Sequence, residues 1–323
     1  IGRYNGANTI PAEERPAMPT DPQADQPVGV FAASLTPMNA DLSPDLGRIV
    51  AHSQWLLANG CDGVAPLGTT GEANSLTVGE RLEILDTFAK AGITGARMIA
   101  GVGCCAIADT VTLAKKALEI GAGGVLMLPP FYYKAPSEDG LFRAYAETIE
   151  RIADDRLRIY LYNFPQQVGF ELPIPLMKRL TEAFPGVVVG SKDSSGDWPR
   201  MERTLEQIPG FRLLPGSEEF LLAGLRKGGI GCISATTNVT APDAHTVYAN
   251  WQGPDADALQ AHLTRLRKAF DGTPAIAAMK AYLALQSGDA GWAHIRPPFM
   301  ELTAADIAGV VEKLDAAQFR LAA

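Results

Sequence analysis

The feature that most constrains the fold of this 323-residue chain is a regular alternation of short apolar runs with longer segments of helical spacing. Eight runs are apolar almost without a break, whereas strands of a half-exposed sheet alternate apolar and polar side chains. They lie at residues 28–35, 63–67, 98–102, 124–128, 158–162, 187–192, 211–214 and 230–234. Continuous apolar runs of this kind indicate parallel strands that are buried on both faces.

The segments between the runs carry apolar residues at helical spacing. They lie at residues 45–59, 78–91, 106–120, 138–152, 173–183, 199–207 and 218–227. Eight strands alternating with helices predict an α/β fold, a (β/α)8 TIM barrel. The alternative is a doubly wound open sheet, but no G-x-G-x-x-G dinucleotide-binding motif follows the first apolar run. The barrel is therefore the preferred prediction.

The two ends of the chain depart from this pattern, so the sequence predicts three regions. Residues 1–27 contain five prolines and no apolar periodicity, which predicts a Pro-rich leader that is extended or disordered. Residues 28–240 form the predicted catalytic barrel. Residues 241–323 are expected to add C-terminal helices that pack on the barrel. Their four helical segments lie at 241–251, 255–270, 274–285 and 304–318.

Charge and cysteine content narrow the classes of partner and the compartment. Acidic residues exceed basic ones by 36 to 28, a net charge of −8, which disfavours binding to nucleic-acid phosphates. No stretch of 18 apolar residues is present to span a membrane. Four cysteines without a C-x-x-C motif predict no disulfide framework and are typical of a reducing cytoplasm. We therefore expect a cytoplasmic protein with no nucleic-acid or membrane partner.

In a barrel the reactive groups collect where the strands end, and Lys192 ends the sixth apolar run. Nine of the ten lysines lie in helical or loop-like segments, where a hydrated ammonium is expected. Burial disfavours the charged form of an amine, and the neutral amine attacks ketones. A salt-bridged structural role is the alternative for Lys192. Lys280 is the other candidate nucleophile, but its long stem is expected to reach water from an apolar helix.

Other polar groups fall at neighbouring strand ends. The turn Gly68-Thr69-Thr70-Gly71-Glu72 follows the second run. Its amides can bind an anion and its hydroxyls can relay protons, although an ordinary βα turn has the same composition. Tyr162 ends the fifth run and is either an acid–base group or a core tyrosine. Tyr132 and Tyr133 follow the fourth run and suit either a pocket or an interface.

The sequence lacks the motifs that are typical of metal sites and of hydrolases. The four histidines lack H-x-x-x-H or H-x-x-E-H spacing, so no metal site is predicted. Neither the nucleophile motif G-x-S-x-G nor the phosphate loop G-x-x-x-x-G-K-[ST] occurs. By elimination the sequence predicts amine chemistry on Lys192.

These motifs, taken in order, resemble the dihydrodipicolinate synthase / N-acetylneuraminate lyase family of class I, pyruvate-dependent aldolases. The resemblance implies that Lys192 forms a Schiff base with pyruvate or another 2-oxo acid and that Tyr162 transfers protons at the imine. It implies that Thr69 and Thr70 hold the substrate carboxylate, with Thr70 also in the proton relay. Ile233 would contact pyruvate through its backbone. The covalent imine then takes the place of a separate cofactor.

The resemblance spans residues 28–234 and continues more loosely to the C-terminus. A family tyrosine that matches Tyr133 is often delivered by a neighbouring subunit, which implies a homodimer or a homotetramer. The implied partners are small molecules, namely pyruvate and an aldehyde or 2-oxo acid.

One departure from the family pattern bears on the second substrate. Gln167 stands where synthases that use aspartate semialdehyde have an arginine. Glutamine still forms hydrogen bonds but loses the charge and the bidentate geometry that suit a carboxylate. Glu218 and Glu219, with Ser194 and Ser234, lie where N-acetylneuraminate lyases bind sugar hydroxyls. The resemblance therefore implies a polyhydroxylated second substrate.

The expected function is a Schiff-base lyase that cleaves or condenses a 2-oxo-3-deoxy sugar acid or a related hydroxylated 2-oxo acid. Three alternatives stay open: 4-hydroxy-tetrahydrodipicolinate synthase, which joins pyruvate and aspartate semialdehyde; a 2-oxo acid dehydratase or deaminase; and a non-catalytic paralogue. The presence of Lys192, Tyr162, Thr70 and Tyr133 disfavours the last of these.

Overall fold

The computed structural model describes residues 26–322, and each predicted apolar run overlaps one strand. The strands are β1 Gly29–Ala32, β2 Gly63–Val64, β3 Gly95–Gly101, β4 Ala122–Met127, β5 Ile159–Asn163, β6 Val188–Asp193, β7 Arg212–Pro215 and β8 Gly231–Ser234. β1 and β2 are shorter than the predicted runs. The apolar residues that follow them are buried as well, although they lie beyond the ends of the strands. Ala33 and Leu35, which follow β1, are 2% and 3% exposed.

All strand pairs are parallel, in the order β7-β6-β5-β4-β3-β2-β1-β8. The sheet curls until its two edges meet, since the amide of Ile230 donates to the carbonyl of Leu213 at 3.0 Å. The predicted (β/α)8 barrel is thereby confirmed. The carboxyl ends of the strands gather at one mouth, where barrel enzymes place their reactive groups.

Twelve α-helices occur within residues 26–322. They are α1 Leu46–Ala58, α2 Val78–Lys90, α3 Ile107–Glu119, α4 Glu138–Ile152, α5 Pro165–Val168, α6 Ile174–Ala183, α7 Trp198–Gln207, α8 Leu221–Arg226, α9 Thr237–Ala249, α10 Ala256–Ala269, α11 Ala275–Ser287 and α12 Ala308–Ala316. Several barrel helices begin at a side chain that accepts a hydrogen bond from the amide three residues later. These caps are Asp45, Thr77, Ser137 and Asp197.

Two helices differ from the sequence prediction. α5 was not predicted, because four residues are too few to show helical periodicity. α9 begins at Thr237 instead of residue 241, and the non-helical backbone of Thr240 (φ −96°, ψ 18°) divides it. This division places Pro242 in the first turn of the second part, where a missing N–H is tolerated.

The apolar core has three parts. Inside the barrel lie Phe31, Ala33, Ala65, Ile99, Leu126, Tyr160, Tyr162, Leu214 and Ile233. A larger cluster fills the layer between the sheet and the surrounding helices. A third joins α10, α11 and α12 to Leu35 and Val239. The predicted C-terminal helices are therefore present, and they pack against the ends of β1 and β8.

The amino-terminal end of the barrel is closed by an arginine. The Arg212 guanidinium donates to Tyr160 Oη at 3.2 Å and to the carbonyl of Pro27 at 2.7 Å. Residues 1–25 of the predicted leader lie outside the described residues, and Pro27 is buried against the barrel. No helix within residues 26–322 combines the length and the apolar character needed to cross a membrane.

Candidate active site

A lysine and a tyrosine meet at the mouth of the barrel. Lys192 and Tyr162 are register partners in β6 and β5, so their side chains leave the sheet side by side. Lys192 Nζ lies 3.3 Å from Tyr162 Oη and 4.6 Å from the centre of the tyrosine ring. Lys192 is 4% exposed and Tyr162 is 3% exposed. An amine and a phenol, the groups that nucleophilic addition and proton transfer require, are thus within hydrogen-bonding reach in a site that is largely closed to water.

The two candidate lysines have opposite surroundings. Lys280 is fully buried and forms an ion pair with the equally buried Glu72, so the expectation that its stem reaches water is wrong. The stem does not reach water because it ends at the Glu72 carboxylate and the carbonyl of His294. Burial lowers the pKa of Lys280, and the Glu72 carboxylate opposes that shift. Lys192, by contrast, forms no ion pair with any residue between 26 and 322, and its hydrogen bond goes to Tyr162.

The turn after β2 lies against the same cleft. Thr69 and Tyr162 both line it, together with Leu67, Gly68, Ala73, Asn74, Gly101, Gly103, Leu126 and Leu128. Thr70 is 7% exposed. The Thr36 hydroxyl donates to the carbonyl of Gly71 at 2.7 Å, and the amide of Glu72 donates to the carbonyl of Thr69 at 3.0 Å. The two threonines are therefore held by bonds on both sides of the turn.

Beside β6, on the side away from Tyr162, the mouth carries an acid surrounded by hydroxyls. Glu218 follows β7 and is fully buried. Its carboxylate accepts hydrogen bonds from Ser234 and Thr236, and from Thr240 at 3.1 Å. The side chain of Ile233, the residue before Ser234, packs in the barrel interior with Tyr162.

Glu219 is placed differently from its neighbour Glu218. Its carboxylate forms an ion pair with Lys268 of α10 at 2.9 Å. Two acids that are adjacent in sequence therefore serve different contacts: Glu218 contacts hydroxyls at and after the end of β8, and Glu219 contacts a C-terminal helix.

Ser194 and Gln167 lie on the loops that follow β6 and β5. Ser194 donates its amide to the carbonyl of Asn163 at 2.8 Å. Its hydroxyl occupies the space beside Gly216, where an added Cβ would lie 2.1 Å from Ser194 Oγ, so only glycine fits there. Gln167 lies in α5 and is exposed.

Tyr133 is not brought to Lys192 by its own chain. It is 80% exposed, and its ring packs edge-on against that of Tyr132 with centroids 5.3 Å apart. Lys134 joins this aromatic loop to α5, because its ammonium donates to the carbonyls of Phe131 at 2.7 Å and Val168 at 2.9 Å. The pair of tyrosines therefore projects from the mouth on a tethered loop.

A buried network behind the lysine was missed by the sequence analysis. Asp193 is 1% exposed, and its carboxylate accepts hydrogen bonds from the Arg200 guanidinium and from Asn163 Nδ2 at 3.1 Å. Arg200 also donates to the carbonyl of Leu172, whose amide donates to Asn163 Oδ1 at 2.9 Å. The sequence does contain an indication of this network, because an Asp that directly follows a buried strand lysine is itself buried and needs a partner.

This network anchors both strand ends that carry the reactive pair. Asn163 directly follows Tyr162, and Asp193 directly follows Lys192. Residues 164–172, which include Gln167, form a loop closed by the contacts of Asn163 and Arg200 with Leu172. The geometry therefore supports addition of an amine to a carbonyl, proton transfer at the new nitrogen and binding of an anion at the threonine turn.

Comparison with known proteins shows which family shares this sequence and fold. A sequence profile of the dihydrodipicolinate synthetase family matches residues 26–317. A protein of Chloroflexus aurantiacus named as an uncharacterized DapA-like lyase is 32% identical over 287 residues, which are 88% of this chain and 95% of that protein.

Solved structures share the fold over most of their length. The crystal structure of dihydrodipicolinate synthase from Agrobacterium tumefaciens has a TM-score of 0.84 and 33% identity, covering 91% of this chain and all of that chain. A dihydrodipicolinate synthase variant described as monomeric has a TM-score of 0.78 and 26% identity, covering 90% of this chain and 97% of that chain. The profile match and these likenesses show that the chain belongs to the dihydrodipicolinate synthetase family, as a lyase of the class I aldolase type.

Proposed function

We propose that this lyase acts through a Schiff base between Lys192 and pyruvate or a longer 2-oxo acid. The observation that carries the proposal is the buried pair of Lys192 Nζ and Tyr162 Oη, 3.3 Å apart. The amine adds to C2 of the 2-oxo acid, and one of its protons passes to the carbonyl oxygen. Tyr162 donates a second proton to that oxygen, water leaves, and a C=N bond remains.

The imine then allows the neighbouring carbon–carbon bond to break. In a 4-hydroxy-2-oxo acid the C3–C4 electron pair enters the imine to give an enamine, and the C4 hydroxyl passes its proton to the Tyr162 phenolate. The aldehyde leaves, C3 takes up a proton, and water releases pyruvate from Lys192. Condensation follows the same steps in reverse. Thr70 passes protons between Tyr162 and the solvent side of the mouth, and the amides of Thr69 and Thr70 bind the carboxylate.

We assign the substrate to 2-oxo-3-deoxy sugar acids or related hydroxylated 2-oxo acids. Gln167 supports this class because a neutral amide pairs better with a hydroxyl than with a second carboxylate. We assign Ser194 and Ser234 to the binding of substrate hydroxyls, with Glu218, whose buried carboxylate accepts a hydrogen bond from the Ser234 hydroxyl, and with Glu219, which lies further out beside Lys268. Ile233 contributes its backbone at the barrel interior.

The proposal includes a second copy of the chain. Tyr133 is too exposed to act within its own barrel, so we assign it to the proton relay of a neighbouring copy in a homodimer or homotetramer. One solved structure of a similar protein is described as a monomeric variant, so the oligomeric state of this protein is to be measured by sedimentation. The expectation of a cytoplasmic location stays a prediction.

A second candidate function is 4-hydroxy-tetrahydrodipicolinate synthase. It is favoured by the 33% identity to a dihydrodipicolinate synthase whose full length this chain covers. It uses the same imine and differs only in the second substrate, aspartate semialdehyde. A dehydratase or deaminase of a 2-oxo acid would also begin from the same imine.

Borohydride trapping tests the shared mechanism. The full-length protein is incubated with pyruvate and borohydride, and the modified lysine is mapped by mass spectrometry. We expect N-(1-carboxyethyl)lysine at position 192 and no adduct in Lys192→Ala. Lys178→Ala, which removes an exposed lysine on α6, is the matched control and should label like wild type. Folded wild-type protein that gives no adduct, or an adduct at another lysine, would refute the aldolase mechanism.

A substrate comparison then separates the two candidates. Pyruvate release is measured from a panel of 2-oxo-3-deoxy sugar acids, and pyruvate consumption is measured with aspartate semialdehyde. The sugar-acid assignment predicts faster turnover of a panel member, and Gln167→Arg should slow it while favouring a dicarboxylic product. Faster turnover with aspartate semialdehyde would identify the synthase instead.

A further inference from the structure

The turn that carries Thr69 and Thr70 ends in an acid with left-handed backbone. Glu72 has a φ of 55° and a ψ of 29°, a region that residues with a side chain seldom occupy. Its amide donates to the carbonyl of Thr69 at 3.0 Å, so the conformation of Glu72 and the position of the threonines belong to one turn. Backbone of this kind persists only where the surroundings hold it.

The C-terminal helices supply what holds Glu72. Its carboxylate is fully buried. One oxygen accepts a hydrogen bond from Lys280 Nζ, and the other accepts one from the backbone amide of Arg296 at 3.1 Å. Lys280 Nζ also donates to the carbonyl of His294 at 3.0 Å. Within residues 26–322, the hydrogen-bond partners of the Glu72 side chain thus lie more than 200 positions later in the chain.

Arg296 extends this attachment to both flanks of the turn. Its guanidinium donates to the carbonyl of Leu42 at 2.8 Å and to that of Ser75 at 2.5 Å, and it forms an ion pair with Glu80 at the start of α2. The turn after β2 is therefore fixed to the segment after α11 at several points. The ion pair of Glu72 with Lys280 is the buried centre of these contacts.

We propose that Glu72 and Lys280 are positioning residues for the 2-oxo acid carboxylate, and that the C-terminal helices thereby set the affinity of the barrel for pyruvate. This inference rests on the proposed function, because it assumes that Thr69 and Thr70 bind that carboxylate. Without Lys280 the buried Glu72 carboxylate loses its nearest counter-charge, which favours movement of the side chain toward water. Because Glu72 is two residues from Thr70, that movement displaces the threonines.

The experiment measures the pyruvate concentration that gives half-maximal borohydride trapping of Lys192. Lys280→Met keeps most of the stem and removes the charge. We expect the half-maximal concentration to rise by about tenfold to a hundredfold, since small displacements of a binding group have effects of this size. Arg212→Met is the matched control, because it removes a buried cation at the opposite end of the barrel. It should lower the melting temperature without changing the pyruvate requirement.

The double variant Glu72→Gln, Lys280→Met separates positioning from stability. It removes both charges, so its melting temperature should recover toward that of wild type. The pyruvate requirement should stay raised, because no ammonium from α11 holds the turn. If Lys280→Met does not fold, the double variant alone supplies the measurement.

Recovery of the pyruvate requirement together with stability would assign the pair a purely structural role and overturn the inference. A wild-type requirement in the variants would overturn it as well. Failure of the proposed function looks different, since wild-type protein itself would then give no adduct at Lys192.

Discussion

A buried lysine is costly unless a partner neutralises it or a reaction uses it, and we propose that this chain has one of each kind. Lys280 is neutralised by Glu72. Lys192 is equally enclosed, but its contact is the hydroxyl of Tyr162, which is a proton donor and acceptor instead of a fixed charge. At the scale of single residues, we infer that the chemistry of the nearest neighbour separates a structural lysine from a reactive one.

Tyr162→Phe should remove proton transfer by the hydroxyl and leave the binding of pyruvate beside Lys192 intact. The ring still packs against Phe164, with centroids 5.7 Å apart in wild type. We expect exchange of the pyruvate methyl protons with D2O, followed by NMR, to slow by about 10² to 10⁴-fold. Tyr160→Phe is the matched control on the same strand, because it removes a buried hydroxyl at the other end of the barrel. Equal exchange rates in the two variants would contradict the role of Tyr162.

His52 should make the protein less stable in mild acid. It is buried between Trp55 and Trp292 and bonded to Asn238 Oδ1 at 2.9 Å, and its burial lowers its pKa from 6.5 to about 4. Between pH 6.5 and 4 the unfolded chain binds a proton that the folded chain excludes. The free energy of unfolding therefore falls as the pH drops through this window, by about 3 kcal/mol in total.

The measurement for His52 is urea unfolding at pH 7 and pH 4.5 for wild type and His52→Gln. Other groups also titrate in this range, so the quantity of interest is the difference between the two proteins. The variant should be less stable at pH 7 but lose less stability on acidification. An identical loss in both proteins would show that His52 does not carry the effect.

The elements β5 and β6 act as a pair because a single network joins the residues that end them. Asp193 and Asn163 contact each other, and Arg200 from α7 contacts both Asp193 and the far end of the loop after β5. Anchored in this way, the loop that carries Gln167 keeps a fixed relation to Lys192. If Gln167 binds the second substrate as we propose, it does so from an element whose shape depends on charges outside the cleft.

Arg200→Met should destabilise the protein and loosen this loop. Removing one partner of a buried ion pair costs about 3–5 kcal/mol, because the remaining carboxylate of Asp193 is left without its counter-charge. Urea unfolding measures the loss, and limited proteolysis between residues 164 and 172 reports the loosening. Arg226→Met, which breaks the exposed pair with Asp257, should change neither quantity. Proteolysis of both variants at the wild-type rate would refute the anchoring role.

At the scale of the whole molecule, the mouth of the barrel is shaped from two directions. The C-terminal helices reach the threonine turn through Lys280 and Arg296. On the outside, the loop with Tyr132 and Tyr133 projects away from its own barrel while Lys134 holds it to α5. A barrel with a tyrosine presented outward in this way is suited to completing the site of a second copy.

Mixing two inactive variants tests whether Tyr133 acts in a neighbouring copy. Tyr133→Phe lacks the relay hydroxyl, and Lys192→Ala lacks the nucleophile. If the tyrosine acts between copies, mixed oligomers contain one complete site, and pyruvate proton exchange should recover to roughly a quarter of the wild-type rate by random pairing. Sedimentation of the wild type establishes the assembly. If subunits exchange between the two variants and the mixture still stays inactive, Tyr133 does not belong to the relay.

Much of the barrel could be predicted because parallel strands buried on both faces leave continuous apolar runs, and all eight runs overlap strands. Lys192 stood out for the same reason, as a charge at the end of such a run. The short helix α5 and the division of α9 at Thr240 left no periodic signal. Their form depends on local backbone bonds and packing instead of on the apolar pattern.

The sequence by itself determined the order of the elements and brought Tyr162 and Lys192 together, because neighbouring parallel strands place their ends at one mouth. Only the tertiary structure decided the state of the other charged groups. The local sequence of α11 is compatible with a Lys280 side chain that reaches water. Glu218 and Glu219 likewise look equivalent in the sequence. Their different partners come from positions distant along the chain, and a charge inside a protein takes its character from those partners.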